Sequence, residues 1–342
     1  MEALFTAMLQ ALTRGEDLVL CSIIASSGST PRGRGAKMAV FADGTTLGTV
    51  GGGAVEYHST LLAREALAQR RTFSHGFNLT PNQTADIGMI CGGQVVVYFQ
   101  FFSGEDAQGK ALLKHIVSLF PLRKNTWLVT EIAEGGARRM GVFAADTALC
   151  FDSGIPPEQI APLAQPRGTL SRGEPAYYVE PLTTAGFVYV FGGGHVSQEL
   201  VPVIAHVGFS VILYEERAEF ATEALFPTAV ETVVAPYEEA VSRLGITADD
   251  YVIIMTRGHQ SDFTVLRQAL RTPACYVGVI GSRHKIAATN QRLLEDGIAE
   301  EELKRIHSPI GLPIEAETPA EIAISIAAEL IRHRAARTGV NA

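Results

Sequence analysis

The clearest alternation of hydrophobic and polar positions begins at Phe187. Phe187 to Phe191 is an uncharged run of β-branched and aromatic residues, the pattern of a parallel strand buried on both faces. Gly192-Gly193-Gly194 interrupts it, and from His195 the spacing turns helical, with Val196, Leu200, Val203, Ile204 and Val207 on one side. Gly208 ends that helix, and Phe209 to Leu213 predicts a second buried strand. The alternation continues with a strand near Thr232 to Ala235 and a helix near Glu238 to Leu244. A strand at Tyr251 to Met255, a helix from about Asp262 to Arg271 and a fifth strand at Cys275 to Ile280 follow. Strands alternating with helices predict an α/β domain over 184–342: a doubly wound parallel sheet whose ligands lie outside the strand C-termini.

The preceding part patterns differently. Leu4, Phe5, Met8, Leu9 and Leu12 form a helical stripe, and Asp17 to Ala25 is a buried strand. Lys37 to Phe41 and Thr45 to Val50 flank Asp43-Gly44, a hairpin signal, and Gly51-Gly52-Gly53 opens a helix from Ala54 to about Arg70. Residues 71–86 read as a strand and a polar loop, and Gln94 to Phe102 as a strand. The middle segment, 104–183, patterns more weakly. A helix at Ala107 to Phe120 and strands at Trp127 to Ile132, Arg138 to Ala144 and Tyr177 to Glu180 are expected there, with Glu134-Gly135-Gly136 as a turn. The proline-rich stretch 153–175 reads as a connection across to the second domain. Together these predict an N-terminal α+β domain over 1–183. Near the other end, Thr318-Pro319-Ala320-Glu321 is a helix start with N-cap, proline and capping-box glutamate, a purely structural motif.

Composition narrows the function classes. The 342 residues are 47% hydrophobic and 19% charged, as in an ordinary globular chain, and a net charge of −8 argues against nucleic acid as a main partner. No apolar run approaches the ~20 residues that span a bilayer, and the amphipathic start with early acids is unlike a signal peptide, so a cytoplasmic location without membrane association is expected. Cys21, Cys91, Cys150 and Cys275 are far apart and form no Cys-x-x-Cys pair, which leaves a zinc ribbon or disulfide framework unsupported.

Candidate chemistry falls at the glycine turns. Gly192, Gly193 and Gly194 at a strand-to-helix turn, followed by His195, suit a pyrophosphate; Glu215, about 20 positions on, suits a ribose diol, with Arg217 beside it. Ser197 stands where the dinucleotide fingerprint has glycine or alanine. A doubly wound domain whose turn holds no nucleotide is the second reading. Thr256, Arg257 and His259 follow the fourth strand, Ser282 and Arg283 the fifth, and Ser308 to Leu312 turns back to the same edge. In the first domain, the loop 26–38 carries Arg32, Arg34 and Lys37 among small residues, an anion-binding composition or equally a solvated turn. Gly52 and Gly53 permit close approach of a ligand or backbone, while Glu56 suits either a site or a helix-dipole position. Cys91, before two glycines, is either a ligand-facing thiolate or a small core residue; the other three cysteines read as core.

The blocks GSTPRGRGAKM, GTVGGGAVE, ICGG, FGGGHV, MTRGH, YVGVIGSRHK, HSPIGLPI and ETPAEIAISIAAELI, in this order across nearly the whole chain, resemble the XdhC/CoxI family. These are accessory proteins of xanthine dehydrogenase and related molybdenum hydroxylases. The resemblance implies a Rossmann-like C-terminal portion and a chaperone-like, non-catalytic role. Family members bind molybdenum cofactor, assist its sulfuration by a cysteine desulfurase, and deliver it to the apo-hydroxylase; a homodimer is also implied. Glu215-Glu216 departs from a commoner Asp-Asp pair, and Gly193 is often alanine in the family. On this reading the glycine-rich helix start takes the phosphate of molybdopterin, and a dinucleotide such as NAD(P) is a further candidate for the C-terminal domain. Arg32, Arg34 and Lys37 neutralise phosphate or oxo groups, and Cys91 contacts molybdenum or its sulfido group, in a site expected between the domains. Two alternatives stand beside it: an NAD(P)-dependent oxidoreductase with His195 or His259 as acid/base, and a persulfide-carrying sulfurtransferase acting through Cys91.

Overall fold

The computed structural model describes residues 1–28, 30, 32–78, 93–122, 124–133, 139–144, 148–151, 154–281 and 283–337, with backbone alone at 148–151 and 283–287. The chain divides into two compact units, Met1–Thr184 and Ala185–Ala342.

The first unit holds two five-stranded antiparallel sheets. One comprises β1 (Leu18–Ser27), β2 (Lys37–Phe41), β3 (Thr46–Gly48), β4 (Phe73–Asn78) and β5 (Gln94–Phe102), in the order β3-β2-β1-β5-β4. The other comprises β6 (Thr126–Ile132), β7 (Met140–Ala144), β8 (Ala148–Phe151), β9 (Thr169–Leu170) and β10 (Ala176–Thr183), in the order β8-β7-β6-β10-β9. Strand β1 has no polar face because both faces are covered. Leu18 and Leu20 pack with α1 (Glu2–Thr13) and α3 (Ala107–Leu119), while Val19, Cys21 and Ile23 pack towards α2 (Gly53–Gln69). The stretch 153–175 was expected to cross to the second domain; its described part, 154–175, packs on the first. Ile155 and Ile160 are buried on Val129 and Val179, and β9 pairs with β10 in register Tyr178↔Leu170. Its apolar side chains anchor it to the sheet despite its prolines.

The second unit is a six-stranded parallel sheet of β11 (Val188–Phe191), β12 (Val211–Glu215), β13 (Glu231–Val234), β14 (Tyr251–Ile254), β15 (Tyr276–Val279) and β16 (Ile306–His307), in the order β13-β12-β11-β14-β15-β16. Period-two alternation feeds two cores: Val188 and Val190 face α4 (His195–His206) and α8 (Pro319–Arg337). Tyr189 and Phe191 face α5 (Ala240–Leu244), α6 (His259–Ala269) and α7 (Arg283–Glu295). From β11 the chain builds first through β12 to β13, then restarts on the other side at β14. The gap between β11 and β14 is therefore the topological switch point of a doubly wound sheet. Among the described residues, no helix is long and apolar enough to cross a membrane.

Candidate functional site

At the switch point two loops meet. Strands β11 and β14 pair in register Phe191↔Ile254, so the turns that follow them lie side by side. Gly192, at φ +107°, is required by that neighbour: a Cβ there would sit 2.2 Å from the Met255 carbonyl oxygen. A Cβ on Gly193 would sit 2.0 Å from the Phe220 carbonyl oxygen, so the alanine common in the family requires the 220 backbone to shift here. Only Gly194, the N-cap of α4, faces open space. Two of the three glycines thus answer to the protein's own backbone. Ser197, in place of the fingerprint's small residue, is buried and donates from its hydroxyl to the Gly192 carbonyl at 2.5 Å.

Glu215 corrects the sequence expectation. It stands at the end of β12, where a ribose-binding acid belongs, but it is 1% exposed. Its Oε2 accepts the Gly193 N–H at 2.8 Å and Arg217 Nη2 at 2.8 Å; its Oε1 accepts Arg217 Nε and the N–H groups of Glu216 and Arg217. Burial opposes its ionisation, yet the bonds from Arg217 and Gly193 outweigh that and hold its pKa below the usual carboxylate value. The guanidinium of Arg217 is likewise committed, to Glu215 and to the Phe220 ring 4.1 Å away, and the bond to Glu215 raises its own pKa. Neither side chain is presented to a ribose.

The β14 side is more open. Thr256 is fixed by Asp262, whose Oδ1 accepts its N–H at 2.9 Å and its hydroxyl at 2.6 Å, so Thr256 shapes the turn instead of offering a free hydroxyl. Arg257 is exposed and, among the described residues, has no carboxylate partner. His195 and His259 are exposed and begin α4 and α6, whose N-caps Gly194 and Gly258 supply no side-chain bond. The two histidines reach the same sheet edge from opposite faces, because α4 and α6 pack on opposite cores. Between α6, β15 and α7 lies a small cleft. His259, Asp262, Gly281 and Ser308, from three stretches distant in sequence, line it. Asn290 of α7 also lines it, with a buried Oδ1 that lacks a hydrogen-bond donor. Sequence reasoning missed Asn290, since one amide on a polar helix carries no signal of burial. Ser282 and the Arg283 side chain lie outside the described residues.

In the first unit, Lys37 is buried rather than ligand-facing: its Nζ meets Glu180 Oε1 at 2.5 Å, with both side chains under 5% exposed. Burial pushes the Glu180 pKa up, against the opposing pull of Lys37. Arg32 and Arg34 remain exposed. Glu56 folds back onto its own turn, accepting the hydroxyl of Thr49 and the N–H groups of Val50 and Gly52 at 3.2 Å, and so acts as a cap. Gly52, at φ +69°, and Gly53, at φ +55°, begin α2, with open space beside Gly52. Cys91 lies outside the described residues; Cys21 and Cys275 have thiols pushed up by burial, the latter to about 11, and suit packing rather than nucleophilic work. Among the described residues no group of three or more His, Cys, Asp or Glu is placed to hold a metal.

A doubly wound second unit, preceded in the chain by an antiparallel first unit, defines a Rossmann-type protein of two units. The XdhC and CoxI family model matches residues 11–76, and the XdhC Rossmann domain matches residues 188–330, together more than half of the chain. The chain belongs to the XdhC and CoxI family. It is 26% identical over 314 residues to the uncharacterized protein YqeB of Escherichia coli (strain K12), a match covering 92% of this chain and 43% of that relative, so the chain spans less than half of YqeB. It is also 26% identical over 350 aligned positions to a probable xanthine dehydrogenase subunit of Bacillus subtilis (strain 168), covering 96% of this chain and 97% of that one. In fold it resembles a crystal structure described as a xanthine dehydrogenase from Bacillus halodurans, with a TM-score of 0.81 and 24% identity over 99% of this chain and 98% of the other.

Proposed function

We propose that this protein is an accessory factor of a xanthine dehydrogenase or related molybdenum hydroxylase. It binds molybdenum cofactor, assists its sulfuration by a cysteine desulfurase, and delivers it to the apo-hydroxylase. Family membership supports the class. The observation that supports cofactor binding is the start of α6 after β14, where Arg257, without a carboxylate partner among the described residues, stands beside His259 at the α6–α7 cleft. A pterin phosphate suits such a surface: helix N–H groups and a guanidinium take the phosphate, and a cleft with both apolar walls and polar groups at Asp262, Thr289, Asn290 and Ser308 takes a ring. When bound, the cofactor would supply a molybdenum centre with dithiolene and sulfido ligands; this chain's part is to bind it and shield it from water. Cys91 is the candidate for contact with that sulfido group. Against the oxidoreductase reading, Glu215 is unavailable to a nicotinamide nucleotide's ribose.

The test is anaerobic gel filtration of the full chain with molybdenum cofactor, assaying molybdenum and pterin in the protein peak. Co-elution near one cofactor per chain is expected, and Cys91→Ala should retain the pterin while losing sulfuration of the delivered cofactor. Absence of both molybdenum and pterin from the peak overturns the reading.

A further inference from the structure

Helix α8 is apolar on two faces. Ala323, Ile326, Ala327 and Leu330 bury one of them in the core of the second unit, with Val188 and Val190 of β11. The other points outward and carries Ala320, Ile324, Ala328, Ile331 and Ala335, spaced three or four positions apart along one stripe. Ile324 is 51% exposed and Ile331 39%. The helix packed beside it behaves differently, since the exposed positions of α4 include His195, Glu199 and His206. A helix with apolar residues on both sides calls for cover on both sides. We propose that a second copy of this chain supplies the outer cover, the two α8 helices packing antiparallel across a two-fold axis near Ala328. Nothing in this depends on cofactor binding.

Two features select a second copy and set its direction. The first is that the stripe reads alike from either end: alanine, isoleucine, alanine, isoleucine, alanine. Turned end for end about an axis beside Ala328, Ile324 of one copy meets Ile331 of the other, and Ala320 meets Ala335. Ala328 then lies next to its own equivalent, where a small side chain lets two helix backbones approach. A two-fold contact puts the same patch on both subunits, so the patch must complement itself, as this one does.

The second feature is charge. Glu321 is exposed, and the Arg332 side chain is 66% exposed; the two stand about three turns apart, on the same flank of the stripe. In the antiparallel pair each Glu321 lies beside Arg332 of the other copy, twice by symmetry. A parallel pair would set glutamate against glutamate and arginine against arginine. Opposite charges beside an apolar seam favour the first arrangement and oppose the second.

Sedimentation of the full chain over a concentration series reads the association. A 19-residue helix is about 28 Å long, so its pairing gives an interface at the small end of the specific range, and a reversible dimer with a micromolar dissociation constant is expected. Ile324→Glu and Ile331→Glu each place a charge in the seam and should raise that constant about tenfold or more. Both side chains are exposed, so helicity by circular dichroism should be kept. Direction is read separately: chains carrying Ala320→Cys are mixed with chains carrying Ala335→Cys and treated with a bismaleimide reaching about 10 Å, and linked peptides are mapped by mass spectrometry. Links from 320 to 335 should outnumber links between like positions. A chain still monomeric at about 100 µM leaves the stripe to a different partner and overturns the inference. So does a dimer indifferent to both isoleucine variants, or one in which like positions are linked.

Discussion

Glu215 places five hydrogen bonds on one buried carboxylate, and its neighbours depend on all of them. Replacing it with alanine leaves the Arg217 guanidinium and the Gly193 N–H without their acceptor. We expect Glu215→Ala to destabilise the second unit by about 3 kcal/mol, the usual cost of removing one partner from a buried pair, read from urea unfolding. A loss under about 1 kcal/mol would mean that the carboxylate is not the clamp described. The position of this acid was legible in the sequence; its orientation was not. Spacing alone is the same whether the carboxylate points to a ligand or back to the turn. The choice is made by Arg217, two residues on, which reaches back to Glu215 and holds it in. Lys37 misled for a similar reason, since its partner Glu180 is 143 positions away. Gly192 and Gly193 were read as a turn that approaches a pyrophosphate, but what approaches them in the structure is the chain's own backbone.

Among the elements, those with a long period were the most legible. Helix α8 begins where its capping signal lies: the Thr318 hydroxyl accepts the Glu321 N–H at 3.3 Å, and Glu321 Oε2 accepts the N–H groups of Glu317 and Thr318 at 2.9 Å. These bonds lower the Glu321 pKa. Thr318→Ala should cost about 1 kcal/mol in thermal or urea unfolding. An unchanged midpoint would show that packing alone fixes that helix start. Strands β9 and β16, two residues each, were missed because two residues have no period; their identity comes from β10 and β15 beside them. At Tyr237–Glu239 a 3₁₀ turn precedes the shorter α5, where a single helix was expected from Glu238.

On the scale of the whole molecule, acid should act first through a cluster behind the sheet of the second unit. Glu329 is 6% exposed and accepts from Tyr276 at 2.8 Å and from the Gly311 N–H at 2.6 Å, with His307 Nδ1 3.2 Å away. Burial works against its charge, but these bonds outweigh burial and bring its pKa to about 2. Its contribution is therefore complete above its ordinary value of 4.5 and is lost as pH falls toward 2. His333, whose ring meets Tyr276 edge-on at 5.2 Å, has its pKa lowered by burial from an ordinary 6.5. Below pH 6.5 the unfolded chain gains a proton that the folded one resists, so stability falls there first. In urea titrations at stepped pH, His333→Phe should reduce the decline that begins near pH 6.5, leaving the part from His115, whose pKa burial also lowers, and keep the later one from Glu329. A wild-type decline that persists undiminished in this variant would assign it to another group.

Glu329 also governs when the fold can be finished during synthesis. It ties α8 to Tyr276 on β15 and to the turn after β16, so the last strand of the sheet, at Ile306–His307, waits for a residue made 22 positions later. The first unit, with all its strands within Met1–Thr184, has no such wait and can close while the remainder is still being translated. On the ribosome, the sheet edge at β15 therefore stays unguarded longest, and that is the interval in which a nascent chain of this protein is most exposed to wrong pairing.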